Sequence, residues 1–253
     1  LRFALVNSNL VKADDMKFSA DIVKDVLKSL LIPLWNAYSF FVTYANIDGY
    51  VPSSTPTEKL SNPLDKWIIS DLEKLVKKAT DGFDSYQIQD ATQALLSFID
   101  DLNNWYIRRS RRRFWRSEND SDKKEAYDTL YRVIMTVVKV ACPLIPFVPE
   151  AIYLHLRTDK DPESVHLCDY PEYNEDERDF KLEDEMEIIM KTIEMGRALR
   201  AVSNLKVRQP LKEFVVVSRN AQHRENLEKN RDIILEELNV KDVKVRADES
   251  DLV

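Results

Sequence analysis

Three glycines in 253 residues is the feature that most restricts what this chain can become. Turn-rich β folds need glycine wherever φ turns positive, whereas long helices do best without it. The apolar periodicity agrees. From Ala20 to about Asn46, Ile22, Val26, Leu30 and Leu34 recur every four positions, and Trp35, Tyr38, Phe41, Val42 and Ala45 continue the stripe. This predicts a long amphipathic helix, kinked near Pro33, where one backbone donor is missing.

"DGYVPSSTPT" ends that helix in a loop. A second helix opens after "SNP" with Pro63 in its first turn and runs through Trp67, Ile68, Leu72, Leu75, Val76 and Ala79 to Gly82. The third is expected to start at Asp84, which has capping-box spacing to Gln87, and to continue through Leu95, Phe98 and Leu102 to Trp105 and beyond. Asp122 and Glu125 have the spacing to cap a fourth, buried along Leu130, Val133, Ile134, Val137 and Val138; "CPLIPFVPE" breaks it before a short helix with Ile152, Tyr153 and Leu156. Long helices joined by short loops predict an antiparallel bundle. After about residue 158 the character changes. Nine acids fall in 172–187, a helix with Leu182, Met186, Ile189 and Ile193 follows, and strands 213–218 and 240–245 flank a helix 223–238. The expected fold is therefore mainly α: a helical bundle with a small C-terminal α/β unit.

The chain is acidic, with 37 basic and 44 acidic residues and a net charge of −7. Against that background "WYIRRSRRRFW" places Arg108, Arg109, Arg111, Arg112 and Arg113 together, with Arg116 just after, and no Asp or Glu lies between Leu102 and Ser117. On a wheel of about 100° per residue, Arg108, Arg109, Arg112, Arg113 and Arg116 share one arc of about 140°, with Arg111 apart. That arc also holds Leu95, Phe98, Leu102 and Trp105. Two readings follow: internal ion pairs with neighbouring helices, or an overhanging helix that shows guanidinium forks to phosphate oxygens. Phe114 and Trp115 are candidates for stacking on an unpaired base, with ordinary packing as the alternative. A second cluster, "GRALRAVSNLKVRQPL", offers Arg197, Arg200, Lys206 and Arg208 without an acid between Glu194 and Glu213. Two basic clusters in an acidic chain fit an RNA footprint.

Catalytic signatures are missing from the sequence. It has no Gly-rich phosphate loop, no G-x-S-x-G and no H-E-x-x-H. Asp100 and Asp101 are adjacent and point to different sides of a helix, so they do not form an acid–base pair. Cys142 and Cys168, with the scattered His155, His166 and His223, have no metal-ligand spacing, so free thiols in a reducing cytoplasm are expected. No uninterrupted apolar run reaches about 18 residues, which argues against a transmembrane helix. The beginning "LRFALVNSNLV" lacks signal-peptide character and reads as internal to a longer protein.

Six segments in order then carry a resemblance: "LWNAYSFFVTYANIDGY" (34–50), "NPLDKWIISDLEKL" (62–75), "NNWYIRRSRRRFW" (103–115), "PLIPFVPEAIY" (143–153), "SVHLCDYP" (164–171) and "GRALRAVSNLKVRQPL" (196–211). Together they resemble the region that follows the catalytic core of isoleucyl-tRNA synthetases, which are class I aminoacyl-tRNA synthetases. Valyl and leucyl relatives share the bundle and the 143–153 pattern. The family's H-x-G-H and K-M-S-K-S signatures do not occur, and "EKLSNP" (58–63) is not a version of the second.

The resemblance implies a bundle of the class I anticodon-binding type. Residues 1–18 would connect it to the catalytic core, 19–157 form the bundle, 158–178 an acidic linker, and 179–253 a helix plus a small α/β subdomain. It implies binding of the anticodon stem and loop of tRNA(Ile), through Arg108, Arg109, Arg111, Arg112, Arg113, Trp115, Arg116, Arg197, Arg200, Lys206 and Arg208 as candidates. It further implies a monomeric cytoplasmic fragment with no cofactor or metal of its own and no membrane, joined to its own catalytic domain in a parent enzyme that uses ATP and Mg. An equivalent domain of a valyl or other class I enzyme, and a helical protein-interaction module with structural arginines, are the alternatives.

Overall fold

Helices carry almost the whole fold in the computed structural model, which describes residues 1–52, 60–115 and 120–248. Two units are distinct, Leu1–Arg178 and Asp179–Val253.

In the first unit a short α1 (Arg2–Val6) buries Phe3 and Ala4. The long first stripe becomes α2 (Ala20–Val26), a π turn (Leu27–Leu31) and α3 (Ile32–Asp48) in continuous succession. The irregularity expected at Pro33 thus takes the form of a wider turn just before it, which accommodates the proline ring and its missing N–H. By length and composition this helix, Ala20–Asp48, is apolar enough to cross a membrane, although it contains no unbroken apolar run. One face packs inward, with Leu30, Leu34, Ala37, Tyr38, Phe41 and Ala45 buried, while Leu27, Ile32, Trp35 and Ile47 are exposed along with Asn36, Ser39, Thr43 and Asn46.

α4 (Pro63–Asp84) begins at Asn62, whose side chain accepts from the Leu64 N–H at 2.9 Å. α5 (Ile88–Asp101) returns beside it as a hairpin. A Cβ on Gly82 would meet the Ala91 nitrogen at 3.0 Å and the Gln87 carbonyl at 3.1 Å, so a larger residue would push the two backbones apart by a few tenths of an ångström. The hairpin also corrects one expectation. Asp84 is the last residue of α4, and Gln87 precedes α5 without a side-chain cap. The turn is too short for Asp84 to serve the second helix.

α5 passes through a π turn (Leu102–Ile107) into α6 (Arg108–Trp115). α7 (Ser121–Ala141) is capped by Asp120, which accepts from the Lys123 N–H at 2.8 Å. The capping box expected from Asp122 and Glu125 does not form, because both carboxylates are drawn elsewhere. Asp122 pairs with Arg113. Glu125 accepts from the N–H groups of Ser61 and Asn62 at 2.8 and 2.9 Å and from the Ser61 hydroxyl at 2.6 Å, tying α7 to the start of α4. α8 (Phe147–Leu156) packs on α3 and α7. Ile68, Leu72, Val76, Leu95, Ile99, Leu130, Val133, Ile134 and Val137 are fully buried between α4, α5 and α7, each contributing about 1.5–3 kcal/mol of transfer free energy.

The second unit opens with α9 (Phe180–Val202). β1 (Phe214–Val217) and β2 (Val243–Arg246) pair in parallel, Phe214 opposite Val243, so the chain crosses over through helices between them. The single helix expected over 223–238 is two, α10 (Ala221–Lys229) and α11 (Arg231–Leu238), divided at Asn230. The Asn230 side chain donates to the Asn226 carbonyl at 2.9 Å and competes with helical pairing there.

Candidate nucleic-acid interface

The arginine-rich segment does not continue the wheel of α5. Its core face runs through Leu95, Phe98 and Ile99 into the start of the π turn at Leu102; at the end of that turn Tyr106 and Ile107 are buried, and beyond it Ser110, Arg113 and Phe114. A π turn inserts about one extra residue, which rotates everything that follows by about a quarter of a turn. Arg112, which the unbroken wheel puts on the core side, is consequently exposed together with Arg111.

Arg113 is the arginine that enters the bundle. Its Nη1 and Nη2 donate to Asp65 Oδ1 and Oδ2, both at 2.7 Å, and Nη2 also lies 2.8 Å from Asp122 Oδ1 and 2.9 Å from the Asp122 carbonyl. The Tyr106 hydroxyl donates to Asp65 Oδ1 at 2.7 Å. Asp65 and Tyr106 are fully buried. Burial pushes the Asp65 carboxyl up from its ordinary value, against the bonds from Arg113 and Tyr106 that pull it down. Burial also opposes the charge on Arg113, but the hydrogen bonds and charge of Asp65 outweigh it and raise the guanidinium. The fork geometry, two parallel bonds to a side chain that stays charged in proteins, makes the pair a bidentate salt bridge inside the core.

The other arginines of α6 stand differently. The Arg108 Nε donates to the Asn104 carbonyl at 2.7 Å, and the guanidinium carbons of Arg108 and Arg109 lie 5.9 and 5.4 Å from the Trp105 ring centre. Both are half-buried on the face of that indole, a cation–π arrangement that limits their rotamers. Arg111 and Arg112 project outward, and Trp115 is 58% exposed. Phe114 is buried edge-on against Phe40 and Tyr127, with ring centres 5.1 and 4.9 Å away, so of the two aromatic residues that end this segment Trp115 alone is accessible for stacking. Arg116 lies outside the described residues.

In the second unit the basic cluster also divides. Arg197 pairs with Glu237 of α11. Arg200 is buried and donates to four main-chain carbonyls. Lys206 and Arg208, on the loop after α9, are exposed. Asp65 and Tyr106 were not among the residues singled out by sequence, and Glu125 was singled out only as a helix cap. Their signal is a polar group on an otherwise apolar helical stripe. Among the described residues no group of three or more His, Cys, Asp or Glu side chains is arranged to hold a metal ion, and Cys142 and Cys168 are free thiols.

A family model described as the anticodon-binding domain of tRNA ligase matches residues 65–216. The whole chain is 50% identical over 265 residues to an isoleucine–tRNA ligase of Treponema denticola, 46% to one of Treponema pallidum and 44% over 253 residues to one of Protochlamydia amoebophila. The chain spans 24% of the length of each of these relatives.

Proposed function

Because the chain belongs to the family of anticodon-binding domains of tRNA ligases, we propose that it is the tRNA-binding part of an isoleucine–tRNA ligase and engages the anticodon stem and loop of tRNA(Ile). The observation that carries this reading is α6. It shows Arg111, Arg112 and Trp115 to solvent beside Arg108 and Arg109, on a segment that contains no carboxylate. Guanidinium groups on a firm helix suit phosphate oxygens and position the nucleic acid, while an exposed indole offers a face to an unstacked base. Arg113 supports this surface from inside the first unit, while Arg200 is buried in the second, where it ties down the loop that carries Lys206 and Arg208.

The aminoacylation that tRNA positioning assists, with its ATP and Mg, belongs to the catalytic part of the longer protein, which is the natural covalent partner of this chain in a cytoplasmic enzyme. The fragment acts as a monomer. Binding of the chain to tRNA(Ile) and to an unrelated tRNA across a salt series tests the proposal. The expected result is preference for tRNA(Ile), with log affinity falling against log salt by about 0.7–0.9 per phosphate engaged. Equal affinity for both tRNAs, or none at low salt with the fold intact, would defeat it.

A further inference from the structure

The loop that follows α9 is built from an unusual anchor. Arg200 is only 4% exposed, and its guanidinium bonds go to carbonyls: Lys206 at 3.1 Å, Gln209 at 3.0 Å, Leu238 at 2.6 Å and Asn239 at 3.1 Å. The last two end α11, where the helix dipole is negative and offsets part of the cation's burial. Asn239 adds a second tie. It sits in the left-handed region at φ 48°, and its Nδ2 donates to the Val207 carbonyl at 2.9 Å. The loop closes at its far end through Leu211, whose N–H donates to the Asn239 carbonyl at 3.1 Å and whose carbonyl accepts from Lys241 at 3.0 Å.

The consequence is a polarity to the loop. The carbonyls of Lys206, Val207 and Gln209 all turn inward onto Arg200 and Asn239, while the cationic side chains of Lys206 and Arg208 stand outward. Acceptors are gathered inside and positive charge outside, on backbone already ordered before any ligand arrives. We infer that this loop is a preformed contact for RNA phosphodiester oxygens, with Lys206 and Arg208 touching the phosphates and Arg200 as the positioning residue beneath them. The inference rests on the RNA-binding reading above and adds to it a second contact, independent of α6. A phosphate diester is the class of group this arrangement suits, since it accepts from both cations and requires no donor of its own. Preorganisation matters because ordering a loop on binding would cost about 1–2 kcal/mol per residue fixed.

The test is tRNA binding by the chain across a salt series, comparing Lys206→Ala/Arg208→Ala, Arg200→Gln, all three changes together, and Arg111→Ala/Arg112→Ala. The loop double variant is expected to keep the parent melting temperature and to lower the salt slope by about one for each phosphate it no longer engages. Arg200→Gln is expected to weaken binding in the otherwise unchanged chain but to cost nothing more once Lys206 and Arg208 are alanine. A purely structural arginine would lower the melting temperature equally in both backgrounds without this non-additivity. At fixed ionic strength, inorganic phosphate should displace tRNA more than chloride does, and this excess should vanish in the loop variant; an excess that persists without Lys206 and Arg208 would place phosphate competition elsewhere and count against the loop. An unchanged slope in the loop variant, alongside a reduced one for the α6 variant, would overturn this inference and leave RNA binding through α6 standing. No tRNA binding by the parent chain would overturn both.

Discussion

Arg113 and Asp65 meet through two parallel bonds of 2.7 Å inside the bundle, 48 positions apart in the chain. With Tyr106 on the same carboxylate, they fix the rotation of α6 relative to α4. Removing Arg113 leaves the buried Asp65 carboxylate with the Tyr106 hydroxyl, and removing Asp65 leaves the buried guanidinium leaning on Asp122. Asp65→Ala and Arg113→Ala are therefore each expected to cost about 3–5 kcal/mol in urea unfolding. Asp65→Val with Arg113→Met and Tyr106→Phe, which removes the three buried polar side chains and leaves only the partly exposed Asp122, should lie closer to the parent than either single change. Single variants within about 1 kcal/mol of the parent would mean that the pair does not hold the helix.

The same geometry separates arginines of the core from arginines of the surface. Arg111→Ala/Arg112→Ala changes exposed side chains and is expected to alter stability by less than about 1 kcal/mol. It should nonetheless reduce tRNA affinity and flatten its salt dependence by about one for each phosphate released. Melting curves and a salt titration on one preparation decide the matter. Unchanged affinity would return α6 to a purely structural role.

The helical character of the chain was legible in its periodicity and its shortage of glycine, because buried stripes recur every three to four residues whatever packs on them. The facing of α6 was not. A wheel drawn at constant pitch carries both Arg112 and Arg113 onto the core side, whereas the π turn at Leu102–Ile107 turns Arg112 out, keeps Arg113 in and brings Ser110 in. Nothing local in "LNNWYI" marks that turn; it becomes visible only once Asp65, on another helix, accepts Arg113. Arg197 and Arg200 behave alike. Their three-residue spacing does put them on one face, but the sequence does not show that α11 covers that face with Glu237 and the carbonyls of Leu238 and Asn239. The box expected from Asp122 and Glu125 fails for a related reason: a carboxylate near the start of a helix serves whichever donor is nearest, and for Glu125 those are Ser61 and Asn62.

Glu125 gives the fold a defined acid sensitivity. Burial alone would raise its carboxyl, but the Ser61 hydroxyl and the N–H groups of Asn62 and Ser61 outweigh it and hold the group below its ordinary value of 4.5. A carboxyl lowered in the folded state contributes stability that is complete above its unfolded value and is lost as pH falls through the folded one. Glu125→Gln is expected to be about 1–3 kcal/mol less stable near neutrality. The gap from the parent should close progressively as pH drops below 4.5. A gap that stays constant into acid would mean that charge on Glu125 is not what these donors recognise.

Gly196 lies mid-way along α9, where alanine ordinarily strengthens a helix by about 1 kcal/mol. Here the opposite is expected. A Cβ at this position would stand 2.6 and 2.8 Å from the two methyl carbons of Leu238, a side chain 1% exposed at the end of α11. These methyls end a flexible side chain that is itself buried, so the new methyl displaces Leu238 within the core, and Gly196→Ala is expected to destabilise the second unit by a net of up to about 1–3 kcal/mol through overpacking. Because Leu238 also supplies a carbonyl to Arg200, a displaced α11 should loosen the loop that carries Lys206 and Arg208. Hydrogen exchange at the amides of Leu205, Gln209 and Leu211 reads this out directly and should quicken in the variant. Adding Leu238→Ala makes room for the new methyl, so the double variant should lose less than the sum of the two single changes. If Gly196→Ala instead stabilises the chain and leaves those amides protected, α9 and α11 are not held at this separation.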